Sequence, residues 1–221
     1  MKLAALISGG KDSILAMHKA AEDNEISCLV SVVSENVDSF MFHTVNVHLT
    51  DAIALAVGKP LYKVFVSGEE EREVEELKKQ LSVLKIDGIV IGGIRSEYQR
   101  RRFKKIADDL GIELVAPLWH ADEREIIEEV KENFEAVIIK VSAYGMDESF
   151  LGRKIDDEII RKLMELNEKY GVNLAGEGGE FETLVLDAPL YRKRIVIKDY
   201  EILRNHLSAT MVVKSFCLEP K

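Results

Sequence analysis

Near the N-terminus lies a hexamer whose side chains and backbone suit phosphate binding: Ser8, Gly9, Gly10, Lys11, Asp12 and Ser13. Its two glycines permit a sharp turn and a close approach of the backbone to a ligand. Its lysine supplies a cation, and its two serines supply hydroxyl donors. Asp12 either favours the start of a helix or holds a magnesium ion between phosphates. The alternative is an ordinary strand–turn–helix corner in which a serine caps the helix.

The hexamer lies between a predicted strand and a predicted helix, which is where an anion site is expected. Leu3 to Ile7 is an apolar run, and Asp12 to Ala21 has apolar residues at helical spacing. The first N–H groups of a helix have no partner within the helix, and the helix dipole favours negative charge there. We therefore predict that the loop binds nucleotide phosphates, although it is neither a Walker A motif nor G-x-G-x-x-G.

The first 119 residues alternate strand and helix patterns. Strands are predicted at Leu3–Ile7, Ser27–Val33, Leu61–Val66, Gly88–Gly92 and Ile112–Ala116. Helices are predicted at Asp12–Ala21, Thr50–Val57, Glu69–Leu84 and Glu97–Leu110, with Thr50 or Asp51 as the cap of the second. This alternation predicts an α/β domain with a five-stranded, parallel, doubly wound sheet that is covered by helices on both faces.

Residues 120–221 have a different pattern and are predicted to form a smaller α+β domain with a mixed or antiparallel sheet. Predicted helices cover Asp122–Glu132 and Asp156–Tyr170, and predicted strands cover Ala136–Val141, Glu182–Leu186, Arg194–Lys198 and Ala209–Phe216. We therefore expect two domains, 1–119 for the nucleotide and 120–221 for the substrate.

Composition excludes several classes of protein. The 221 residues are 47% apolar and 31% charged, which suits a globular protein with a core. Thirty basic against 39 acidic residues give a net charge of −9, so we expect no nucleic-acid partner. Cys28 and Cys217 form neither a CxxC pair nor a disulfide framework, and Cys217 is expected just past the last strand. The apolar runs are far shorter than the roughly 20 residues of a membrane helix, and the N-terminal run is too short for a signal peptide, so we expect a cytoplasmic protein.

The hexamer matches the PP-loop, S-G-G-x-D-S, of the ATP pyrophosphatases with the adenine-nucleotide α-hydrolase fold. Five further stretches are Glu35–His43, Gly92–Arg100, Tyr144–Gly145, Leu151–Arg153 and Gly176–Thr183. Together they resemble the diphthine–ammonia ligase family. The resemblance extends from Leu3 to about Tyr191, and no stretch in it clearly departs from the family pattern.

The resemblance implies a fold, a reaction and its participants. The sheet should have the strand order 3-2-1-4-5, with ATP at the carboxyl ends of its strands. The reaction amidates diphthine, a modified histidine on translation elongation factor 2, with ammonium; ATP is cleaved to AMP and pyrophosphate. The cofactors are then ATP and Mg²⁺, and the partners are the elongation factor and ammonium. Whether the protein forms a homo-oligomer is left open.

With the resemblance, residues are predicted for each part of the site. The catalytic residues are Lys11, Asp12, Glu177 and Glu180, and Asp12 is also the metal ligand. ATP is bound by Ser8, Gly9, Gly10, Lys11, Asp12, Ser13, Gly92 and Arg100. The acceptor is bound by His43, Tyr98, Gln99, Tyr144, Gly178, Gly179, Glu182 and Thr183. Because the loop is expected to be exposed, replacing Lys11 by alanine should leave the fold intact.

Several of these residues have a second interpretation. The acids of the Gly-rich segment 176–183 could bind ammonium, a cationic substrate or Mg²⁺, or they could lie in a solvated turn with Glu180 and Glu182 on one face. Diphthine carries a quaternary ammonium, which favours an acidic pocket. Tyr144, Tyr98 and Trp119 could face that cation. For any one of these rings, however, packing in the core is the more common role.

The segment Arg95–Lys105 reverses the charge of the protein locally, with six basic residues against one acid. One face of the predicted helix could reach ATP phosphates and the other could meet the protein substrate or RNA; alternatively, the helix is simply solvated. Two other functions remain. A tRNA-modifying PP-loop enzyme is disfavoured by the absence of a cysteine constellation. A non-catalytic ATP sensor is disfavoured by the complete loop with Lys11 and Asp12.

Overall fold

A computed structural model describes residues 1–34, 46–69 and 71–221. The chain divides into two compact units, Met1–Trp119 and His120–Lys221, which are described separately below. No helix in the described residues is long and apolar enough to cross a membrane.

The N-terminal unit alternates strands and helices. Its strands are β1 Lys2–Leu6, β2 Glu25–Ser34, β3 Leu61–Val66, β4 Gly88–Val90 and β5 Glu113–Val115. Its helices are α1 Lys11–Asp23, α2 Thr50–Val57, α3 Arg72–Leu81 and α4 Glu97–Leu110, with a short 3₁₀ turn at Val47–Leu49. The strands pair in parallel in the order β3-β2-β1-β4-β5, which confirms the predicted α/β sheet and its strand order.

The central strands β1, β2 and β4 are buried on both faces of the sheet, so they are largely apolar runs, whereas the edge strands β3 and β5 are partly exposed. On one face Ala4 and Leu6 of β1 join a core with residues of α3 and α4, among them Leu77 and Phe103. On the other face α1 contacts β1, β2 and β4, while α2 contacts β3. This two-sided burial explains why β1 has no polar residue after Lys2.

The C-terminal unit is built on a four-stranded antiparallel sheet. Its elements are α5 Glu123–Asn133, β6 Glu135–Val141, a 3₁₀ turn at Glu148–Phe150, α6 Asp157–Tyr170, β7 Phe181–Asp187, β8 Lys193–Arg204 and β9 Ala209–Pro220. The strand order is β7-β6-β9-β8, and every pairing is antiparallel. The smaller α+β unit is therefore as predicted, and the open choice between a mixed and an antiparallel sheet is resolved.

The last two strands form a longer hairpin than expected. Strand β8 has 12 residues rather than the predicted five of Arg194–Lys198, and β9 continues to Pro220 rather than Phe216. The prediction stopped early because both faces of this hairpin are largely solvated, so apolar alternation is lost after Lys198. Cys217 consequently lies within β9 opposite Val196, and its expected place beyond the last strand was wrong.

Two helix ends also differ from their predicted positions. Helix α3 covers Arg72–Leu81 rather than Glu69–Leu84, and Ser82 is its C-terminal cap. Helix α2 begins at Thr50 directly after the 3₁₀ turn, with Leu49 at the cap position, so neither Thr50 nor Asp51 caps it. The buried Thr50 hydroxyl instead donates to Ser31 Oγ at 3.0 Å, because a buried hydroxyl requires a hydrogen-bond partner.

Candidate active site

The phosphate-binding candidate is the turn between β1 and α1. Gly9 has a φ of +91°, which a residue with a side chain rarely adopts, and Gly10 is the extended residue that precedes the helix. No side chain caps α1, and its first intrahelical hydrogen bond runs from Ile14 N–H to the Gly10 carbonyl. The sequence therefore forms an open helix N-terminus at the carboxyl edge of the sheet, where an anion is favoured.

The two serines of this turn hold its shape. Ser13 Oγ donates to the Gly10 carbonyl at 3.0 Å and accepts from Ser8 N–H at 3.3 Å. Gly10 N–H in turn points to Ser8 Oγ at 3.4 Å. These hydrogen bonds hold the backbone N–H groups of the turn in place before a ligand binds. The two hydroxyls therefore shape the turn in addition to being donors for a ligand.

Lys11 is buried, which corrects the expectation of an exposed loop. Only 2% of its surface is accessible, and its Nζ lies 2.9 and 2.8 Å from the two carboxylate oxygens of Asp12. The buried ammonium is paired, as a buried charge must be. The Lys11 side chain is therefore part of the packing at the start of α1, and its truncation to alanine removes buried volume as well as charge.

Gly92 brings the end of β4 against this turn. A Cβ atom on Gly92 would lie 2.7 Å from both the Asp12 carbonyl carbon and the Ser13 backbone nitrogen, closer than such atoms approach in proteins. The next residue, Gly93, has room, since its Cβ would meet only Gln99 Oε1 at 3.9 Å. The predicted nucleotide-site residues Ser8–Ser13 and Gly92 are thus in direct contact.

The start of α4 places the remaining predicted residues of the N-terminal unit. Ser96 caps the helix by accepting from Gln99 N–H at 3.3 Å. The Arg102 guanidinium lies 3.5 Å from the centre of the Tyr98 ring, and the Arg100 guanidinium lies 4.7 Å from that of Trp119. Tyr98 and Trp119 therefore each have one face covered by an arginine of the same chain, and neither presents that face to an external cation.

Three of the six basic residues in the segment Arg95–Lys105 form ion pairs within the unit. Arg102 pairs with Glu71 at 3.0 Å, Lys104 pairs with Asp108, and Lys105 lies 3.9 Å from Glu75. These pairings favour the interpretation of a solvated, ion-paired helix over that of an open surface for RNA.

In the C-terminal unit, the Gly-rich segment is organised by Asn173. Its Oδ1 accepts from Ala175 N–H at 2.9 Å and from Glu177 N–H at 3.2 Å, and its own N–H donates to Glu180 Oε1 at 3.2 Å. Gly176 and Gly179 both have positive φ, at +70° and +81°. Sequence reasoning missed Asn173, although an asparagine shortly before a glycine is a known turn signal.

The three glutamates of this segment have different environments. Glu180 folds back over Gly178, and its Oε2 is enclosed without a hydrogen-bond donor among the described residues. Glu182, on β7, pairs with Lys140 of the neighbouring β6 at 2.8 Å. Glu180 lies immediately before β7, so only Glu182 lies within the strand itself. Thr183 is buried in β7, and Glu177 lies in the loop itself.

Tyr144 lies in a turn beside the same loop. Two residues earlier, Ser142 N–H donates to the Glu180 carbonyl at 2.9 Å, and Ser142 Oγ donates to the Gly179 carbonyl. The Tyr144 ring is 79% exposed, so the alternative of packing in the core was wrong for this residue. His43 lies outside the described residues.

Among the described residues no cluster of metal ligands is found, and one of the two cysteines, Cys28, is buried. Within the described ranges, no three His, Cys, Asp or Glu side chains converge on a point where they could hold a metal ion. Burial raises the pKa of the Cys28 thiol, so this cysteine stays protonated and is a poor nucleophile.

The five-stranded parallel sheet with its Ser-Gly-Gly-Lys-Asp-Ser turn defines a PP-loop α/β protein, a class that binds ATP at the carboxyl edge of the sheet. Within that class, the chain belongs to the diphthamide synthase family. Residues 1–114 match the diphthamide synthase N-terminal domain, and residues 122–216 match the diphthamide synthase C-terminal domain.

Three relatives illustrate the match, and each is a diphthine–ammonia ligase. The protein from Bos taurus is 36% identical over 95% of this chain and 87% of its own length. The Homo sapiens protein is 37% identical over 92% and 85%. The Saccharomyces cerevisiae protein is 33% identical over 87% of this chain but only 34% of its own length. A solved structure, described as a predicted subunit of tRNA methyltransferase from Methanocaldococcus jannaschii, aligns with 86% of this chain at 13% identity and a TM-score of 0.45.

Proposed function

We propose that this protein is an ATP-dependent ligase that converts the carboxylate of diphthine on elongation factor 2 into the amide of diphthamide. Ammonium supplies the nitrogen, and ATP is cleaved to AMP and pyrophosphate in the cytoplasm. The observation that carries the proposal is the match of both diphthamide synthase domains to one chain that retains the complete Ser8–Ser13 loop.

The chemistry explains why ATP is needed. A carboxylate is a poor electrophile, because its leaving group would be oxide. In the proposed first step a carboxylate oxygen attacks the α-phosphorus, and the bond from that phosphorus to the pyrophosphate oxygen breaks. In the second step ammonium first loses a proton to solvent or to a nearby carboxylate and becomes ammonia. Ammonia then attacks the acyl carbon, AMP leaves with the electrons of the acyl–oxygen bond, and the nitrogen loses a second proton to give the neutral amide.

The turn between β1 and α1 suits the first step. Negative charge accumulates on the departing pyrophosphate, and the N-terminal N–H groups of α1 together with Lys11 stabilise it where it develops. Lys11 and Asp12 neutralise each other in the structure, at 2.8 Å. Phosphates that enter the loop offer the Lys11 side chain a stronger partner than Asp12. Nucleotide binding is therefore coupled to the breaking of the Lys11–Asp12 ion pair, and nucleotide release to its formation.

Asp12 is the residue that would hold Mg²⁺. This cation is commonly bound by one or two carboxylates together with substrate phosphates rather than by a protein cage, so a single aspartate beside the phosphate loop fits the ion. When bound, Mg²⁺ would neutralise phosphate charge. The side chain of Asp12 is partly exposed, which leaves its carboxylate accessible.

The Gly-rich loop is the proposed acceptor and ammonium site. The enclosed Oε2 of Glu180 is an acceptor that has no donor among the described residues, and an ammonium ion carries N–H donors and a compensating charge. Glu177, Gly178 and Gly179 form the wall of the same loop. Glu182 and Thr183 are secondary candidates in this unit, since Glu182 is ion-paired and Thr183 is buried.

The test is mass spectrometry of diphthine-bearing elongation factor 2 after incubation with this protein, ATP, Mg²⁺ and isotopically labelled ammonium. We expect a labelled amide on the modified histidine that forms only with ATP. If the carboxylate oxygens are labelled beforehand, one label should appear in AMP, which distinguishes an acyl-adenylate from an acyl phosphate.

Two outcomes would support the alternative functions. AMP and pyrophosphate formed with bulk tRNA but not with the elongation factor would indicate a tRNA-modifying enzyme. Tight ATP binding without turnover of either substrate would indicate a sensor.

A further inference from the structure

Two tyrosine rings form an exposed right-angled pair in the C-terminal unit. Tyr144 and Tyr170 have ring centroids 4.9 Å apart and an interplanar angle of 90°. Tyr144 is 79% exposed, more than any other aromatic side chain in the described residues, and Tyr170 is 40% exposed. The pair, called the tyrosine corner below, therefore presents two aromatic surfaces to solvent from perpendicular directions.

The backbone at Gly145 builds the corner. Gly145 has a φ of +87°, and a Cβ atom there would lie 2.7 Å from Leu166 Cδ2 and 2.8 Å from Tyr170 Cε2. Only glycine allows the turn to rest directly on α6 at this distance. The position of Tyr144 against Tyr170 is thus set by the chain path.

The electrostatic surroundings favour a cation. Tyr170 is the last residue of α6, and the C-terminal end of a helix carries partial negative charge. One cation of the chain is already attracted there, since Lys169 Nζ lies 5.0 Å from the centre of the Tyr170 ring. Aromatic faces attract cations through the ring quadrupole, and quaternary ammonium groups are held by such rings in aromatic cages.

The corner adjoins the proposed acceptor loop. The hydrogen bonds of Ser142 to Gly179 and Glu180 tie the chain just before Tyr144 to the Gly-rich loop. Of the three aromatic rings considered for a cation, Tyr98 and Trp119 are only partly exposed, whereas Tyr144 is 79% exposed. The tyrosine corner is therefore the candidate whose ring surface an external cation can reach.

We propose that the tyrosine corner binds the quaternary ammonium group of the acceptor. This proposal rests on the proposed function, because diphthine supplies that group. A quaternary ammonium has no N–H to donate, so ring faces suit it better than hydrogen-bond acceptors do, while an ammonium ion suits the carboxylate of Glu180. The corner therefore acts on binding of the acceptor and leaves the reaction steps unchanged.

The test compares steady-state amidation by the wild-type protein and by variants at the corner. Tyr144→Ala and Tyr170→Leu should each raise the KM for diphthine-bearing elongation factor 2 by about 5- to 10-fold, with the kcat and the KM for ATP unchanged. Tyr144→Phe retains the ring and should stay within about twofold of the wild type. Tyr200→Ala, at an exposed tyrosine on β8, is the matched control and should not change the KM.

A second measurement separates this proposal from the proposed function. Tetramethylammonium chloride should shift the ring NMR signals of Tyr144 and Tyr170 in the wild-type protein, and sodium chloride at equal ionic strength should not. If tetramethylammonium shifts these ring signals but the protein does not amidate diphthine, the tyrosine corner binds quaternary ammonium and the proposed function fails. An unchanged KM in Tyr144→Ala, or no shift with tetramethylammonium, would overturn the corner even if the wild type amidates diphthine.

Discussion

Gly92 and Ser13 are in backbone contact, with so little space that a Cβ atom on Gly92 would lie 2.7 Å from the Ser13 nitrogen. This contact fixes the phosphate turn against the end of β4. The two residues are 79 positions apart (92 − 13), so the contact depends on the parallel pairing of β1 with β4. It also gives a direct way to displace the turn without changing any of its residues.

Gly92→Ala should weaken ATP binding by about tenfold or more, because the added methyl group must push the helix N–H groups out of place and such groups stabilise charge only at short range. The overall fold should persist. Isothermal titration with ATP and thermal unfolding measure the two properties. Gly93→Ala is the matched control, since its Cβ has space; equal effects of the two substitutions would argue against a role for the Gly92 contact.

Lys11→Met should reduce pyrophosphate release by about 10²- to 10³-fold, because it removes a cation that stabilises developing charge while filling similar buried space. Lys11→Ala should lose the same activity and also lower the Tm, because it leaves a cavity at a residue that is 2% exposed. Pyrophosphate release and thermal unfolding distinguish the two variants. Lys19→Met, on the same helix, is the control; normal activity in Lys11→Met would refute the assigned role.

Glu180→Gln should raise the KM for ammonium by about tenfold, because it removes the negative charge of an enclosed carboxylate. The variant should be as stable as the wild type or more stable, since Gln Oε1 can still accept from Asn173 N–H. Glu182→Gln should show the opposite pattern, with lower stability from the broken Lys140 pair and an unchanged ammonium KM. Amidation kinetics at varied ammonium concentration measure the KM, and urea unfolding measures the stability, of both variants. A raised ammonium KM in Glu182→Gln but not in Glu180→Gln would place the ammonium site at Glu182.

Asn173→Ala should raise the KM for the acceptor and destabilise the unit by about 1–3 kcal/mol, because two loop N–H groups lose their acceptor. Asn173→Asp keeps an acceptor oxygen and should restore most of the stability. Urea unfolding and acceptor kinetics of the three proteins provide the measurement. If the alanine and aspartate variants behave alike, the side chain does not organise the loop.

Glu76→Gln should destabilise the protein at neutral pH but not at acid pH. Ser67 N–H donates to Glu76 Oε2 at 2.7 Å and is the main reason that the pKa of this carboxyl lies below its ordinary value of 4.5; Arg72 adds to the effect. A lowered folded-state pKa contributes stability above the ordinary pKa, and this contribution is lost as the pH falls through the folded value. Urea unfolding from neutral to acid pH should show that the free energies of unfolding of Glu76→Gln and the wild type become equal in acid. A difference that does not change with pH would indicate that Glu76 contributes through packing instead.

The α/β sheet was predictable because its central strands β1, β2 and β4 are buried on both faces and are therefore largely apolar runs between helices. The phosphate turn was predictable because six neighbouring residues carry the signal. The hairpin β8–β9 was predicted too short, since its solvated faces leave no alternation to follow. Asn173 was missed although its partners, Ala175, Glu177 and Glu180, follow it closely in the sequence. Tyr170 was missed because its partner, Tyr144, precedes it by a whole helix and a turn.

Local chemistry in the amino-acid sequence was sufficient for the class of fold, the loop at the start of α1 and the family pattern, because hydrophobic period and turn chemistry are properties of adjacent residues. The tertiary structure decided which candidates are accessible. It buried Lys11 against Asp12, covered one face of Tyr98 and of Trp119 with arginines, paired Glu182 with Lys140, and left Tyr144 exposed beside Tyr170. The contacts of Glu182 with Lys140 and of Tyr144 with Tyr170 join residues that are distant in the sequence and are brought together by packing. The burial of Lys11 likewise depends on the surrounding fold, although its partner Asp12 is the next residue.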